Sequence, residues 1–364
     1  MKIKEIINEL ELLAPLSLQE SYDNAGLLIG NSNTECTGAL ITLDVTENVI
    51  EEALIKKANL IIAHHPLIFG GLKKIIGQTA TERITMTAIK NDIAVYAIHT
   101  NLDNIKEGVN GMICKKMGLT QLSPLNPGQK QLRKLVTFCP VEYAERVRGA
   151  ILAAGAGNIG KYDSCSFNCE GTGTFKAGEG AHPFVGTLNE LHHEAEIKIE
   201  TIFPFYLENK IIRALLASHP YEEVAYDIYQ LENKNQQTGA GMIGYLKHSL
   251  SKTTFLQLLK ERFSTGCIRY SDFKDKPIKS VAVCGGSGSF LINKALGAGV
   301  DAFVTGDIKY HDFFIPEGRI LLADIGHYES EQYTKELLFN QITKIFPTFV
   351  VQISEHNTNS VHYF

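Results

Sequence analysis

Three short groups of histidine and carboxylate residues constrain this chain more than any other feature, because they are far apart in the sequence and share one context. The groups are His64 and His65 in IIAHHP, His99 and Asp103 in YAIHTNLD, and His327 and Glu331 in ADIGHYESE. Each group follows an apolar run that predicts a buried strand, and no single loop can supply six rigid ligands. We therefore expect a fold that joins both ends of the chain around a dinuclear metal centre.

The residue types and their spacing support a metal centre. A mixture of imidazole and carboxylate suits zinc, iron, manganese or nickel better than calcium or magnesium alone. A helix over YESEQYTKELLF would place His327 and Glu331 on one face, since residues four apart are neighbours on a helix. His99 and Asp103 have the same spacing, but TNLD follows a strand-like run and is predicted to be a turn.

Each group also has a simpler interpretation. Neighbouring side chains of a strand point to opposite faces, so His64 and His65 must lie at a strand end, before Pro66, to reach one cavity. Otherwise they are hydrogen-bonded histidines at a strand terminus. Asp103 alone would be a helix cap, and Glu331 alone a solvated helix residue. The metal interpretation is favoured because it explains all three groups together.

Apolar runs alternate with helical segments in the first third of the chain. The strand-like runs are GALITLDVT, ANLIIAHHP and DIAVYAIHT, and the helical patterns between them are ENVIEEALIKK and TATERITMTAIKN. This alternation predicts β-α-β units and a largely parallel sheet. Open α/β sheets place their active sites beyond the carboxyl ends of the strands, which is where the histidines occur.

Two breaks rich in Pro, Gly and polar residues divide the chain, at SPLNPGQKQL and at LENKNQQTGAGMIGYL. The segment between them has a β-α-β-β-α-β pattern and predicts an inserted ferredoxin-like α+β domain. The fold class is therefore α/β, with a two-part metal-binding core domain interrupted by the insertion. The predicted boundaries are 1–128 and 237–364 for the core and 129–236 for the inserted domain.

Composition narrows the class of protein. A chain of 364 residues with 44% hydrophobic residues can bury a sizeable core, and its net charge of −5 does not predict nucleic-acid binding. Seven cysteines without zinc-ribbon spacing suit a reducing compartment. The amino-terminal segment has the pattern of an amphipathic helix rather than a secretory signal, and no segment approaches a membrane span. We expect a cytoplasmic protein without a membrane partner.

Two further motifs follow predicted strands in the last third. CGGSGSF opens a helix, and its amides would either bind an anion or form a tight turn for close packing, alternatives that the sequence leaves open. VTGDIKYHDF contains Asp307 and His311, which we expect to contact the ligands or a substrate rather than to bind a metal directly.

The complete motif set resembles one family. The motifs are Asp23-Asn24 in ESYDNAGLLIG, HHP at 64–66, HTNLD at 99–103, the VCGGSGSF turn, TGD at 305–307 and GHYESE at 326–331. In this order they resemble the GTP cyclohydrolase I type 2 homolog family, also called NGG-interacting-factor-three-like proteins. In the middle segment, GTGTFKAGEGAHPFVG and SHPYEEVAYDI resemble the inserted domain of longer bacterial members, which is similar to signal-transduction or divalent-ion-tolerance trimers.

The resemblance implies two divalent metal ions per chain and self-association as a homohexameric ring. The ligand pattern that it carries over is His64, His65, Asp103, His327 and Glu331, with His99 adjacent. We expect a metal-dependent hydrolase that acts on a nucleotide or small phosphorylated compound, with His99 or His311 transferring protons. The family name would imply opening of the GTP imidazole ring. The alternative is a non-catalytic metal-binding regulatory or assembly protein, and open coordination positions favour the enzyme.

Overall fold

The computed structural model describes residues 1–274 and 276–364 and has a mixed α/β architecture with several sheets. It divides into two compact units. One unit combines Met1–Pro127 with Gln237–Phe364, and the other is Gly128–Gln236. Within the described residues, no helix is both long enough and apolar enough to cross a membrane.

The first half of the two-part unit alternates strands and helices. Its elements are α1 (Ile3–Leu13), β1 (Gly26–Ile29), β2 (Ala39–Thr42), α2 (Glu47–Ile55), β3 (Leu60–Ala63), α3 (Ala80–Lys90), β4 (Ala94–Ala97), α4 (Thr100–Asp103), α5 (Val109–Met117) and β5 (Thr120–Gly128). The side chains of Thr46 and Thr79 accept hydrogen bonds from the first turns of α2 and α3, which explains where these helices begin. The segment TNLD forms the short helix α4, whereas its sequence had predicted a non-helical turn.

The inserted unit has the element order β-α-β-β-α-β. Its elements are β6 (Leu132–Pro140), α6 (Ala144–Ala153), β7 (Phe167–Lys176), β8 (Leu191–Pro204), α7 (Glu208–Ser218) and β9 (Tyr226–Leu231). The strands form an antiparallel sheet in the order β7-β8-β6-β9. Buried residues of α6 and α7, such as Val147 and Leu215, pack in one core with Leu135, Ile199 and Phe203 of the sheet.

The second half of the two-part unit continues the α/β pattern. Its elements are β10 (Asn235–Leu250), α8 (Lys252–Phe263), β11 (Arg269–Tyr270), β12 (Ile278–Ser287), α9 (Ile292–Ala298), β13 (Ala302–Gly306), β14 (Leu321–Asp324), α10 (His327–Glu331), α11 (Thr334–Ile345) and β15 (Val351–Ile353). One sheet has the order β11-β14-β13-β12-β10-β5, in which β12, β13 and β14 are parallel.

A second sheet joins the two ends of the chain, with the strand order β1-β4-β3-β2-β15. Strands β15, β2, β3 and β4 are parallel, and every residue of β2, β3 and β4 is buried, as expected for parallel strands covered on both faces. The register pairs Thr42 with Ala63 and Ala63 with Ala97. The strands thus end level, and the residues that follow them emerge at one edge of the sheet.

Candidate metal centre

His64 lies just beyond the end of β3 and is completely buried. Its Nδ1 donates a hydrogen bond to the Ile98 carbonyl oxygen at 2.8 Å, so Nε2 is the nitrogen with a free lone pair. That Nε2 is 3.6 Å from Asp103 Oδ1 and 3.7 Å from Glu331 Oε1. Among the described residues, neither His64 Nε2 nor Asp103 Oδ1 has a hydrogen-bond partner, although both atoms are buried. A divalent cation between these donors would remove that deficit.

A second group of donor atoms is formed by His65, His327 and Glu331. The Nε2 atoms of His65 and His327 lie 3.0 Å and 3.1 Å from Glu331 Oε2, and 3.3 Å from each other. Nitrogen and oxygen ligands about 2.1 Å from one ion are about 3.4 Å apart in tetrahedral geometry. The group therefore has the donor types and the spacing that fit a metal ion.

Glu331 belongs to both groups because its two carboxylate oxygens face different histidines. Oε1 faces His64, while Oε2 faces His65 and His327. Glu331 is the last residue of α10 and its side chain is only 3% exposed. His327 begins the same short helix, so the predicted spacing of four residues places both side chains on one helical face.

Three histidines, His65, His99 and His327, each have their Nδ1 atom hydrogen-bonded to a carboxylate. The pairs are His65 Nδ1 with Asp44 Oδ1, His99 Nδ1 with Asp23 Oδ1, and His327 Nδ1 with Asp307 Oδ2, each at 2.7 Å. Such contacts orient the ring and increase the basicity of the nitrogen that binds a metal. The sequence indicated Asp307 for this kind of role and Asp23 only as part of a motif, and Asp44 was missed. Its signal is its position two residues beyond β2, at the sheet edge where His65 emerges.

The glycine turn CGGSGSF packs against the donors. Gly286 has a φ of +58°, and a Cβ atom there would lie 2.4 Å from Glu331 Oε1. The amide of Gly285 donates to Asn110 Oδ1 and the amide of Gly286 donates to Ser330 Oγ, both at 2.9 Å. The amides of Gly285 and Gly286 therefore already have partners within the protein, and this part of the turn packs closely against Glu331.

The charges of the metal-free centre are distributed over coupled groups. Burial opposes the imidazolium of His65, but Asp44 and Glu331 outweigh it and raise the His65 pKa to about 9. Burial likewise opposes the His327 imidazolium, while Asp307 and Glu331 raise its pKa to about 11. Burial and the neighbouring Glu331 raise the pKa of Asp103 well above its ordinary value. In the metal-free centre these raised pKa values favour protons on side chains that would otherwise bind a metal ion.

Metal binding by His65 and His327 is expected to release protons. At pH 7 both rings of the metal-free centre are protonated, because their pKa values of about 9 and about 11 lie above that pH. An ion requires the free Nε2 lone pair, so the apparent affinity falls as the pH falls, by about tenfold per pH unit for each proton displaced. Isothermal titration calorimetry in buffers of different ionisation enthalpy measures this release. Binding without proton release between about pH 6 and pH 8 would contradict the assignment.

Two of the donor residues, His65 and His327, open onto a cavity of about 650 Å³ within the two-part unit. His65, His99 and His327 line this cavity. His311 lies in the short 3-10 helix Tyr310–Phe314, is exposed, and has its ring near those of Tyr310 and Phe314. It is not one of the described residues that line the cavity. The structure thus brings His99, but not His311, to the cavity, and His99 forms with His64 and His65 a third set of donor atoms that could hold an ion.

Comparison with known proteins gives consistent matches over almost the whole chain. The family model described as Duf34/NIF3 (NGG1p interacting factor 3) matches residues 1–360. A protein from Bacillus subtilis named GTP cyclohydrolase 1 type 2 homolog is 40% identical over 347 residues, covering 94% of this chain and 92% of that protein. A protein of the same name from Halalkalibacterium halodurans is 41% identical over 361 residues, with 96% of each chain covered.

A solved structure agrees with these matches. The crystal structure of a Bacillus cereus protein related to NIF3 superposes with a TM-score of 0.88 at 39% sequence identity. The superposition covers 100% of this chain and 99% of that one. The similarity therefore extends over both the two-part unit and the inserted unit.

Proposed function

The chain belongs to the Duf34/NIF3 family, and we propose that it is a metal-dependent hydrolase with two divalent ions in one centre. His64, Asp103 and Glu331 would hold one ion, and His65, His327 and Glu331 the other. The observation that carries the proposal is the orientation of Glu331, which turns one buried oxygen toward each group. The unpartnered buried atoms of His64 and Asp103 support it further.

The donor set suits zinc, iron, manganese or nickel. When bound, such ions supply Lewis acidity that activates water for attack on a carbon or phosphorus centre. Each group offers three protein ligands, which is fewer than these ions accept, and so leaves room for water or substrate. Open positions favour an enzyme over a purely structural centre.

His99 is proposed to transfer protons in this reaction. Its ring lies 5.3 Å from the His64 ring and 5.4 Å from the His65 ring, measured between centroids. Asp23 accepts a hydrogen bond from Nδ1 at 2.7 Å and keeps the ring in place. Asp23 also accepts hydrogen bonds from the backbone and side chain of Thr100, and burial is outweighed by these contacts so that its pKa falls to about 2. The carboxylate therefore stays charged and keeps its hydrogen bond with His99 Nδ1.

The cavity supports a small anionic substrate, such as a nucleotide or another small phosphorylated compound. Its volume of about 650 Å³ is in the range of small-molecule pockets. Arg269 lines the cavity, and its Nη2 is held by Asp324 and by the Ile308 carbonyl oxygen. The Arg269 side chain remains 57% exposed. The two ions would supply most of the positive charge for a phosphate group, because Asp324 already pairs with Arg269 and the carboxylates of Asp44, Asp307 and Glu329 also line the cavity.

A turnover screen tests the function. Metal-loaded protein is assayed against a panel of nucleotides and phosphoesters, and the His99→Gln variant is expected to lower turnover about 100-fold with unchanged metal content. His248→Gln, at an exposed position, serves as the control, and His311→Gln is measured because the sequence proposed both histidines. Loss of metal in the His99→Gln variant would indicate that His99 binds a metal ion and does not act as the proton-transfer group. No turnover of any compound by metal-loaded protein would favour the regulatory or assembly alternative.

We also propose that Gly128–Gln236 is a ferredoxin-like domain, which its element order and the strand order β7-β8-β6-β9 support. Assembly as a homohexameric ring is proposed from the family resemblance alone, and a cytoplasmic location is proposed from the cysteine content. The molar mass of the assembly in solution, by light scattering, tests it.

A further inference from the structure

The unit Gly128–Gln236 contains a cavity of about 690 Å³ that the proposed hydrolytic reaction does not use. Residues 169–178 of β7 and its following loop form one side, and residues 221–223 form part of another. These segments contain GTGTF and YEE, which belong to the two middle-segment motifs of the sequence analysis. The motifs therefore converge on one cavity, although they are separated along the chain.

Two glycines keep one face of β7 open. Gly171 pairs with Glu196 of β8, and a Cβ atom at Gly171 would meet nothing within 4 Å. A Cβ atom at Gly173 would lie 2.1 Å from Glu196 Oε2. The absence of side chains at these positions thus leaves open space and allows the Glu196 carboxylate to lie across the strand.

The Glu196 carboxylate is held in place by a short chain of hydrogen bonds. Tyr221 donates its hydroxyl hydrogen to Glu196 Oε1 at 3.0 Å. The Tyr221 backbone amide donates to His219 Nδ1 at 3.1 Å, and His219 Nε2 donates to the Phe138 carbonyl oxygen at 2.9 Å. His219 is buried, and its two hydrogen bonds connect Tyr221 to strand β6. The cavity is therefore preorganised around one carboxylate.

Aromatic rings surround the same space. The Tyr221 ring centroid lies 6.1 Å from that of Phe175 with an interplanar angle of 60°, and 6.2 Å from that of Phe184 with an angle of 47°. Phe138 lines the cavity as well. Rings tilted in this way present several faces to one compact group, as in the aromatic cages that bind alkylammonium ligands.

The charges of the lining favour a cation. The cavity is lined by more carboxylates than ammonium groups: Glu170, Glu196, Glu222 and Glu223, compared with Lys176 and Lys198. The Lys198 ammonium is 2.5 Å from Glu200 Oε1, which neutralises it locally. Aromatic faces carry a negative potential and attract ammonium groups, and a nearby carboxylate adds a Coulombic attraction.

We propose that this cavity binds a small organic cation, with an alkylammonium group enclosed by Phe175, Phe184 and Tyr221 and facing Glu196. Gly171 and Gly173 make the space for it, and the Tyr221 hydroxyl and His219 fix the carboxylate that recognises it. The site shares no residue with the metal centre, because all its residues belong to Gly128–Gln236.

Choline and its neutral carbon isostere 3,3-dimethylbutan-1-ol test the proposal on the full chain. Choline is expected to bind at one site per chain, about tenfold or more tighter than the isostere, because only the charge differs. Glu196→Gln should weaken choline binding about tenfold. Glu232→Gln is the matched control, since Glu232 belongs to the same unit, is exposed, and pairs with Lys130 outside the cavity. Calorimetry or ligand-observed NMR measures each affinity.

A steric variant keeps the test independent of Glu196. Gly171→Val fills the open space without removing a polar group, and it should abolish choline binding while the thermal unfolding temperature stays close to that of the parent. Equal binding of choline and the isostere, no binding of choline, or unchanged binding in a folded Gly171→Val variant would each overturn the proposal. Binding of purine nucleosides in preference to choline would also overturn it, in favour of a stacking site.

Discussion

The Glu331→Ala variant is expected to lose both metal ions, with the dissociation constant at each group raised at least about 100-fold. Glu331 is the residue that the two donor groups share, since Oε1 faces His64 and Oε2 faces His65 and His327. Its removal leaves two histidines in one group, and one histidine with Asp103 in the other. Neither remainder offers the three protein ligands of the parent group.

Elemental analysis of protein purified without an affinity tag or chelator measures the effect, with about two ions per chain expected in the parent. Glu329→Ala is the control. Glu329 lies in the same helix, is similarly buried, and accepts a hydrogen bond from Asn359 Nδ2 at 3.1 Å, but it belongs to neither donor group. Circular dichroism confirms that both variants are folded. Two ions retained in Glu331→Ala would refute the shared-carboxylate assignment.

The Asp103→Asn variant is expected to lose one ion and keep the other. Asp103 faces His64 but takes no part in the group of His65 and His327, so only the first group is weakened, by at least about 100-fold. Burial and Glu331 raise the Asp103 pKa well above its ordinary value in the metal-free centre. The neutral asparagine amide therefore resembles the neutral form of the Asp103 carboxyl group. Without metal, we expect little change in the free energy of unfolding.

Metal content and thermal unfolding, each with and without added metal, measure both parts of this prediction. Added metal should stabilise the parent more than Asp103→Asn, because an ion bound only by the folded state stabilises it. His327→Ala is the reciprocal variant and should lose the ion of the other group. Loss of both ions in Asp103→Asn would indicate a single coupled site, and loss of none would remove Asp103 from the ligands.

These measurements also separate the proposals. Two ions per chain without turnover of any substrate would retain the centre and reject the hydrolase, in favour of a regulatory or assembly protein. Choline binding is a separate proposal, because all the residues that line its cavity belong to Gly128–Gln236.

The elements that carry the site could be predicted from local patterns. The continuous apolar runs before His64 and His99 predicted β3 and β4, and both are buried parallel strands. The spacing of His327 and Glu331 predicted one helical face, and α10 spans these residues. The prediction of one continuous helix over YESEQYTKELLF was wrong, since α10 ends at Glu331 and α11 begins at Thr334.

The residue types suited to metal binding, and the buried strands that most of them follow, can be read from the amino-acid sequence, because strand and helix periodicity is a local property of the chain. The sequence does not indicate which oxygen of Glu331 faces which histidine, or that Asp44 holds His65, because these contacts depend on the folded arrangement of distant elements. His65 and Glu331 are 266 positions apart, so their distance depends on packing between elements and on no local pattern. The same reason explains why the cavity around Glu196 and Tyr221 emerged only from the structure.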